Sequence, residues 1–159
     1  MRPQKNTEAH NTAGLAELIC SNSLRSDELA TGPGLLKAEP ADLSSLIMQA
    51  ARKTQVPAGK ALAVNRELFS EFITEKIENH PKITLVRKEV DSLADSELKS
   101  AKYVVLASGP LTSESLSREI AGILGEEHLY FYDAIAPIIS ADSVNMEKAL
   151  WCARYPPAN

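Results

Sequence analysis

The chain has 159 residues, 44% of them apolar and 24% charged, and 17 Lys plus Arg against 21 Asp plus Glu give a formal charge of −4. That length and composition suit a globular domain with a real core, and no apolar run approaches the ~20 residues of a membrane span. Two cysteines, Cys20 and Cys152, are too few for a disulfide framework, and Met1-Arg2-Pro3-Gln4-Lys5-Asn6 lacks the apolar stretch of a secretory signal, so a reducing, cytoplasmic setting is expected.

Residues 1–40 carry Pro3, Gly14, Gly32, Pro33, Gly34 and Pro40 and read as irregular, with helical spacing only around Leu15-Ala16-Glu17-Leu18-Ile19. Asp42 reads as the N-cap of a helix over about 43–53, with Leu43, Leu46, Ile47 and Ala50 on one face. Pro57 and Gly59 end that unit, and Asn65 caps a second helix over about 66–79. Its buried face would hold Leu68, Phe69, Phe72, Ile73 and Ile77, and His80-Pro81 stops it. Ile83–Val90 and Tyr103–Ala107 read as strands, the second as one buried on both faces. Ser108-Gly109-Pro110 breaks that run, and Thr112 or Ser113 caps a helix carrying Leu116, Ile120, Ile123 and Leu124, closed by Gly125. Leu129-Tyr130-Phe131-Tyr132 is a further short strand. Helices mixed with apolar strands read as α/β.

Three stretches concentrate chemistry. In Val104–Thr112 an apolar strand ends in small residues that feed a helix start, where free N–H groups favour an anion. An ordinary tight turn has the same composition. Cys20-Ser21-Asn22-Ser23-Leu24-Arg25-Ser26 sets a thiol among hydroxyls, an amide and a guanidinium; a nearby cation favours the thiolate, while the residues alone favour a buried, inert cysteine beside a hydrogen-bonded polar loop. Lys53–Arg66 is a small-residue loop flanked by bases that could admit a phosphate or a planar ring, without the spacing of a P-loop. Residues 1–66 carry 8 Lys/Arg against 6 Asp/Glu and residues 67–159 carry 9 against 15, so a polyanion is expected nearer the first part, although solvated surface charge explains the same difference. His10, His80 and His128 have no metal-ligand spacing, and no metal site is expected.

These pieces in this order resemble TrmFO, the folate- and FAD-dependent tRNA (uracil-5-)-methyltransferase family of the wider MnmG/GidA flavoprotein group. The likeness runs from Met1-Arg2-Pro3 and Ala9-His10 through Ala16–Ser26, Gly34-Leu35-Leu36-Lys37, Val56-Pro57-Ala58-Gly59 and Ala61-Leu62-Ala63-Val64. It continues in Ser108-Gly109-Pro110-Leu111-Thr112-Ser113 and Tyr130-Phe131-Tyr132-Asp133-Ala134, and covers residues 1 to about 155, leaving 156–159 as a divergent tail. The resemblance implies an FAD-binding, Rossmann-like domain. It also implies a one-carbon unit drawn from methylenetetrahydrofolate, NAD(P)H as electron donor, and a T-loop uridine of tRNA as acceptor. By the same resemblance, Cys20 is a catalytic or flavin-tuning thiol and Arg25 supports it. Arg2, Ser21, Asn22, Val90, Ala107, Ser108 and Gly109 are candidates for holding the cofactor.

The departures are specific. Family members carry a strand, a G-x-G-x-x-G turn, a helix and a strand ending in an acid ahead of Met-Arg-Pro, whereas this sequence opens on Met1-Arg2-Pro3. An incomplete Rossmann-like domain lacking its first βαβ segment is therefore expected, with weak or no FAD binding and no catalysis by these residues alone. Cys152 does not match the family's later cysteine; Asn11, Lys60, Asn65 and Ser108 replace a usual His, Gly, Asp and Thr. A non-catalytic remnant that complements other segments, and an MnmG-like protein acting on the wobble uridine, are the alternatives.

Overall fold

The helices expected over about 66–79 and before Gly125 form, and of the expected N-caps Asn65 makes its side-chain capping bonds. A computed structural model describes residues 9–125 and 140–149. Met1-Arg2-Pro3, the strand expected at Leu129–Tyr132, His128 and Cys152 lie outside the described residues. The described chain divides into two units, residues 12–85 with 140–149, and residues 9–11 with 86–125.

The first unit pairs helices with a small antiparallel sheet, an α/β arrangement. Strand β1 is Ser23–Ser26, helix α1 Gly32–Asp42, helix α2 Leu46–Lys53, strand β2 Gln55–Val56, strand β3 Ala61–Val64 and helix α3 Arg66–Glu78. The sheet order is β1-β3-β2, with Ser23 opposite Ala63, Ser26 opposite Ala61 and Gln55 opposite Val64. All four β3 residues are buried. Leu62 and Val64 join Met48, Ala50, Ala51, Phe69 and Ile73 in the core, on which Leu15, Leu18, Leu24 and Phe72 pack.

Asn65 caps α3 as its sequence predicts: its side-chain oxygen accepts from the backbone N–H groups of Glu67 and Leu68, each at 3.1 Å. Phe69 and Ile73 are buried, but Leu68 remains 51% exposed on the edge of the expected face. The helix expected over about 43–53 begins later, at Leu46, after a turn in which Ser44 has φ +57°. Asp42 does not cap it; Asp42 is the last residue of α1.

Helix α1 lies in the region whose Gly-Pro-Gly composition reads as irregular. Thr31 caps it by accepting from the Gly34 N–H at 3.2 Å, and Pro33 sits in the first turn, where no N–H is needed. A Cβ on Gly34 would overlap the Glu28 carbonyl, so the glycine allows α1 to pass close to that backbone.

In the second unit the two expected strands do not form. Ile83–Val90, which spans the boundary of the units, has no regular structure, and Tyr103–Ala107 pairs with no strand among the described residues. Its composition suits a buried strand, yet Tyr103 is 79% and Val105 85% exposed. A strand exists only through the backbone it pairs with, and no described neighbour supplies one. Helix α4 spans Ser96–Lys99, a 3₁₀ turn Gly109–Leu111, and helix α5 Glu114–Leu124. Gly125, at φ +72°, closes α5 as expected. Leu116 is buried and Ile120 partly so, while Ile123 and Leu124 are exposed. The Glu119 carboxylate holds α5 to the preceding loop, accepting from the Leu93 N–H at 2.7 Å and the Ser92 hydroxyl at 3.1 Å.

Candidate functional site

The Cys20–Ser26 segment is fixed by two of the stretches that the sequence separates. Upstream, the Leu15 N–H donates to Thr74 Oγ1 at 2.8 Å and the Leu15 carbonyl accepts from Ser70 Oγ at 2.6 Å, which ties the run leading to Cys20 onto α3. Downstream, Asn22 and Val64 pair twice at 3.0 Å: Asn22 Nδ2 donates to the Val64 carbonyl, and the Val64 N–H donates to the Asn22 carbonyl. The structure thereby brings the Cys20 stretch and the Lys53–Arg66 loop together. Arg66, the first residue of α3, donates through Nη2 to the Cys20 carbonyl at 3.4 Å.

Cys20 itself is an exposed free thiol. Ser21 Oγ accepts from the Ser23 N–H at 3.0 Å and keeps its own hydroxyl proton to donate. Asn22 engages the Val64 carbonyl through Nδ2 and in that way helps to hold the loop. Arg25 is exposed, and among the described residues no hydrogen bond or ion pair joins its guanidinium to Cys20.

The strand carrying these residues is bulged. Three steps from Ser23 to Ser26 face two steps of β3, and Arg25 absorbs the extra residue at φ +68°. Lys37 of α1 reaches the bulge: its ammonium donates to the Leu24 carbonyl at 2.9 Å and the Pro33 carbonyl at 2.6 Å. Burial pushes the Lys37 pKa below the ordinary lysine range, against the raising influence of Asp27, with Arg52 and Arg25 adding to the lowering. Past the strand, the Asp27 carboxylate accepts from Nη1 and Nη2 of Arg52, the latter at 2.8 Å, and the Asp27 N–H donates to the Lys60 carbonyl at 2.8 Å. The hydrogen bond to Asp27 raises the Arg52 pKa further. Lys60 pairs with Glu28 at 2.9 Å.

The other candidates belong to the second unit. Ala107, Ser108 and Gly109 are exposed, and Val90 is half-buried. Gly109 has φ +70° and open space where a Cβ would stand. Thr112 Oγ1 closes the turn, donating to the Gly109 carbonyl at 2.6 Å and lying 2.6 Å from Ser108 Oγ. Arg2 lies outside the described residues. Arg66 is one of the bases flanking the Lys53–Arg66 stretch, whereas the part played by Lys37 is marked in the sequence only by a single lysine inside the otherwise small and apolar Gly34-Leu35-Leu36-Lys37-Ala38. Among the described residues no three His, Cys, Asp or Glu side chains gather as metal ligands, and no helix is long and apolar enough to cross a membrane.

Residues 5–159 match the protein family described as Glucose inhibited division protein A. The chain belongs to that family. Within it, the chain is 57% identical over 157 residues to the methylenetetrahydrofolate–tRNA-(uracil-5-)-methyltransferase TrmFO of Oleidesulfovibrio alaskensis, covering 99% of this chain and 35% of that protein. The protein of the same name from Aquifex aeolicus is 56% identical over 155 residues, and that of Geobacter sulfurreducens 54% over 155, each covering 98% of this chain and 34% of the relative. The chain spans about a third of the length of these curated relatives. The resemblance read from the Cys-Ser-Asn-Ser-Leu-Arg-Ser and Gly-Pro-Leu-Thr-Ser stretches therefore holds along nearly the whole chain.

Proposed function

We propose that these residues form part of the flavin-binding region of a TrmFO-type enzyme, which methylates C5 of the T-loop uridine of tRNA with methylenetetrahydrofolate and FAD. The observation that carries the reading is identity of 56–57% across 98–99% of the chain to relatives named for that activity. Each unit, taken by itself, offers groups that suit a flavin nucleotide. Cys20 offers an exposed thiol, Ser21 a hydroxyl proton and Arg25 an exposed guanidinium on a segment held rigid by α3 and β3. Ala107, Ser108 and Gly109 offer an exposed turn with no Cβ at its left-handed position, open to close approach by a polyanionic group. A bound flavin supplies the redox and one-carbon chemistry, with NAD(P)H as the reductant. The chain's own part is to hold the ring, keep a thiol at hand and counter negative charge.

The test is a chimera in which these 159 residues replace the matching third of the Aquifex aeolicus relative. The purified chimera is expected to carry flavin, seen in its visible absorption spectrum, and to methylate tRNA with methylenetetrahydrofolate. Cys20→Ser is expected to abolish methylation while the protein stays folded. A folded chimera that neither retains flavin nor methylates tRNA would overturn the reading. The 159-residue chain alone, incubated with FAD and desalted, is expected to keep far less than one flavin per chain.

A further inference from the structure

One peptide unit in β1 is held at both ends. Its carbonyl, that of Leu24, accepts from Lys37 Nζ at 2.9 Å, and its N–H, that of Arg25, donates to Ser23 Oγ at 3.2 Å. Lys37 is itself buried and braced, its ammonium also bound to the Pro33 carbonyl at 2.6 Å in the first turn of α1. Immediately after this clamped unit, Arg25 adopts φ +68°, a conformation strained for an ordinary residue and one that glycine supplies in bulges of the left-handed kind. The backbone cost falls on an exposed, long, charged side chain and not on a glycine. Such outliers persist only where the surroundings over-determine them, and they cluster at binding sites.

We propose that Lys37, with Ser23, is a positioning residue that locks the Leu24–Arg25 peptide, holds Arg25 in the left-handed region and so sets the direction in which its guanidinium is displayed. What Arg25 is displayed to, an anionic group of the cofactor or substrate, rests on the reading of residues 20–26 as part of the flavin site. The lock itself does not. Two neighbouring features keep the clamp from sliding: Asp27, just past the strand, is tied to Arg52 and to the Lys60 carbonyl, and Asn22 is paired twice with Val64.

The inference is tested by a double-mutant cycle in the chain, with amide hydrogen exchange at Arg25 and Asp27 as the readout. Lys37→Met keeps the aliphatic stem and removes the ammonium. It is expected to speed exchange at both amides by about tenfold, within the range of coupling between neighbours in one network. In an Arg25→Gly background, where the left-handed conformation is free of strain, the same change is expected to speed exchange by about threefold or less. A lysine that served only to fill space would give equal effects in both backgrounds, and additivity overturns the proposal. Ser23→Ala, a milder change at the other end of the clamp, is expected to show the same dependence on residue 25 and decides the matter where Lys37→Met does not fold. The Arg25 Cα chemical shift of the unaltered chain is expected to report a positive φ; a negative φ overturns the proposal. Flavin retention by the chimera carrying Arg25→Ala is read separately: a lock without loss of flavin rules out the cofactor as the group to which Arg25 is displayed and leaves the clamp standing.

Discussion

Phe69 links the core to the candidate site, because it packs in the same cluster as Val64, whose backbone holds Asn22. It is 2% exposed. A buried aromatic side chain removes about 150–250 Å² from water, worth roughly 4–6 kcal/mol at about 25 cal/mol per Å² against an extended chain. Phe69→Ala keeps the Cβ but leaves a cavity walled by Met48, Leu62, Val64 and Ile73, and the expected cost is about 3–5 kcal/mol. That approaches the whole stability of a small unit, commonly about 5–15 kcal/mol. Phe72 is the internal control: one turn along α3 and of the same residue type, it is only partly buried, with the Lys53 ammonium 4.7 Å from its ring centroid. Phe72→Ala is expected to cost roughly 1–2 kcal/mol. Urea titrations followed by circular dichroism at 222 nm read both, with midpoints compared at a common slope. Equal losses at the two positions, or a loss at Phe69 below about 1 kcal/mol, would refute the assignment of the core to this face of α3.

Three further outcomes follow from local features. Asn65→Ala removes the acceptor for two N–H groups at the start of α3 and is expected to cost about 1 kcal/mol, read in the same titration. Gly34→Ala drives a Cβ into the Glu28 carbonyl, which cannot retreat because the Thr31 N–H and hydroxyl hold it at 2.9 and 2.8 Å; a loss of about 1–3 kcal/mol is expected, against near neutrality for Gly122→Ala, where space is open. Lys37 binds its proton less tightly in the folded chain than in the unfolded one, so in the alkaline window up to the ordinary lysine value of about 10.4 the unfolded state holds more protons. Stability carried by this group therefore rises with pH through that window. The slope is expected to vanish in Lys37→Met, and persistence of the full slope in the variant would assign it to another group.

What the sequence made legible was local. Asn65 before an apolar face, His80-Pro81 after it, and Gly125 behind Leu124 each act within a few residues, and each gave its helix end to within one residue. Helix α1 was hidden because Gly32-Pro33-Gly34 carries the composition of a break, whereas the proline sits in the first turn and the second glycine answers a contact with Glu28, six residues back. Leu68 and Ile123 satisfy helical spacing yet stay exposed, since periodicity names a stripe without fixing its width. Tyr103–Ala107 was read from its own residues although strand identity belongs to a pair. For the site, the residue types around Cys20 were visible, but the agents that position them, Lys37, Thr74, Ser70 and Val64, lie 13 to 59 residues away along the chain. Nothing in the order of residues announces a left-handed arginine.

The exposed run Tyr103-Val104-Val105-Leu106 has a practical consequence. Short windows that are apolar, rich in β-branched residues and uncharged are the segments that nucleate cross-β aggregates when their edges are open. Lys102 on one side and Gly109-Pro110 on the other act as gatekeepers, limiting how far such stacking can spread along the chain. Solubility thus becomes a reporter: the concentration at which the chain begins to scatter light or bind thioflavin measures how completely that run is covered. Any added segment or partner that shields it should raise the threshold before a change in activity can be detected.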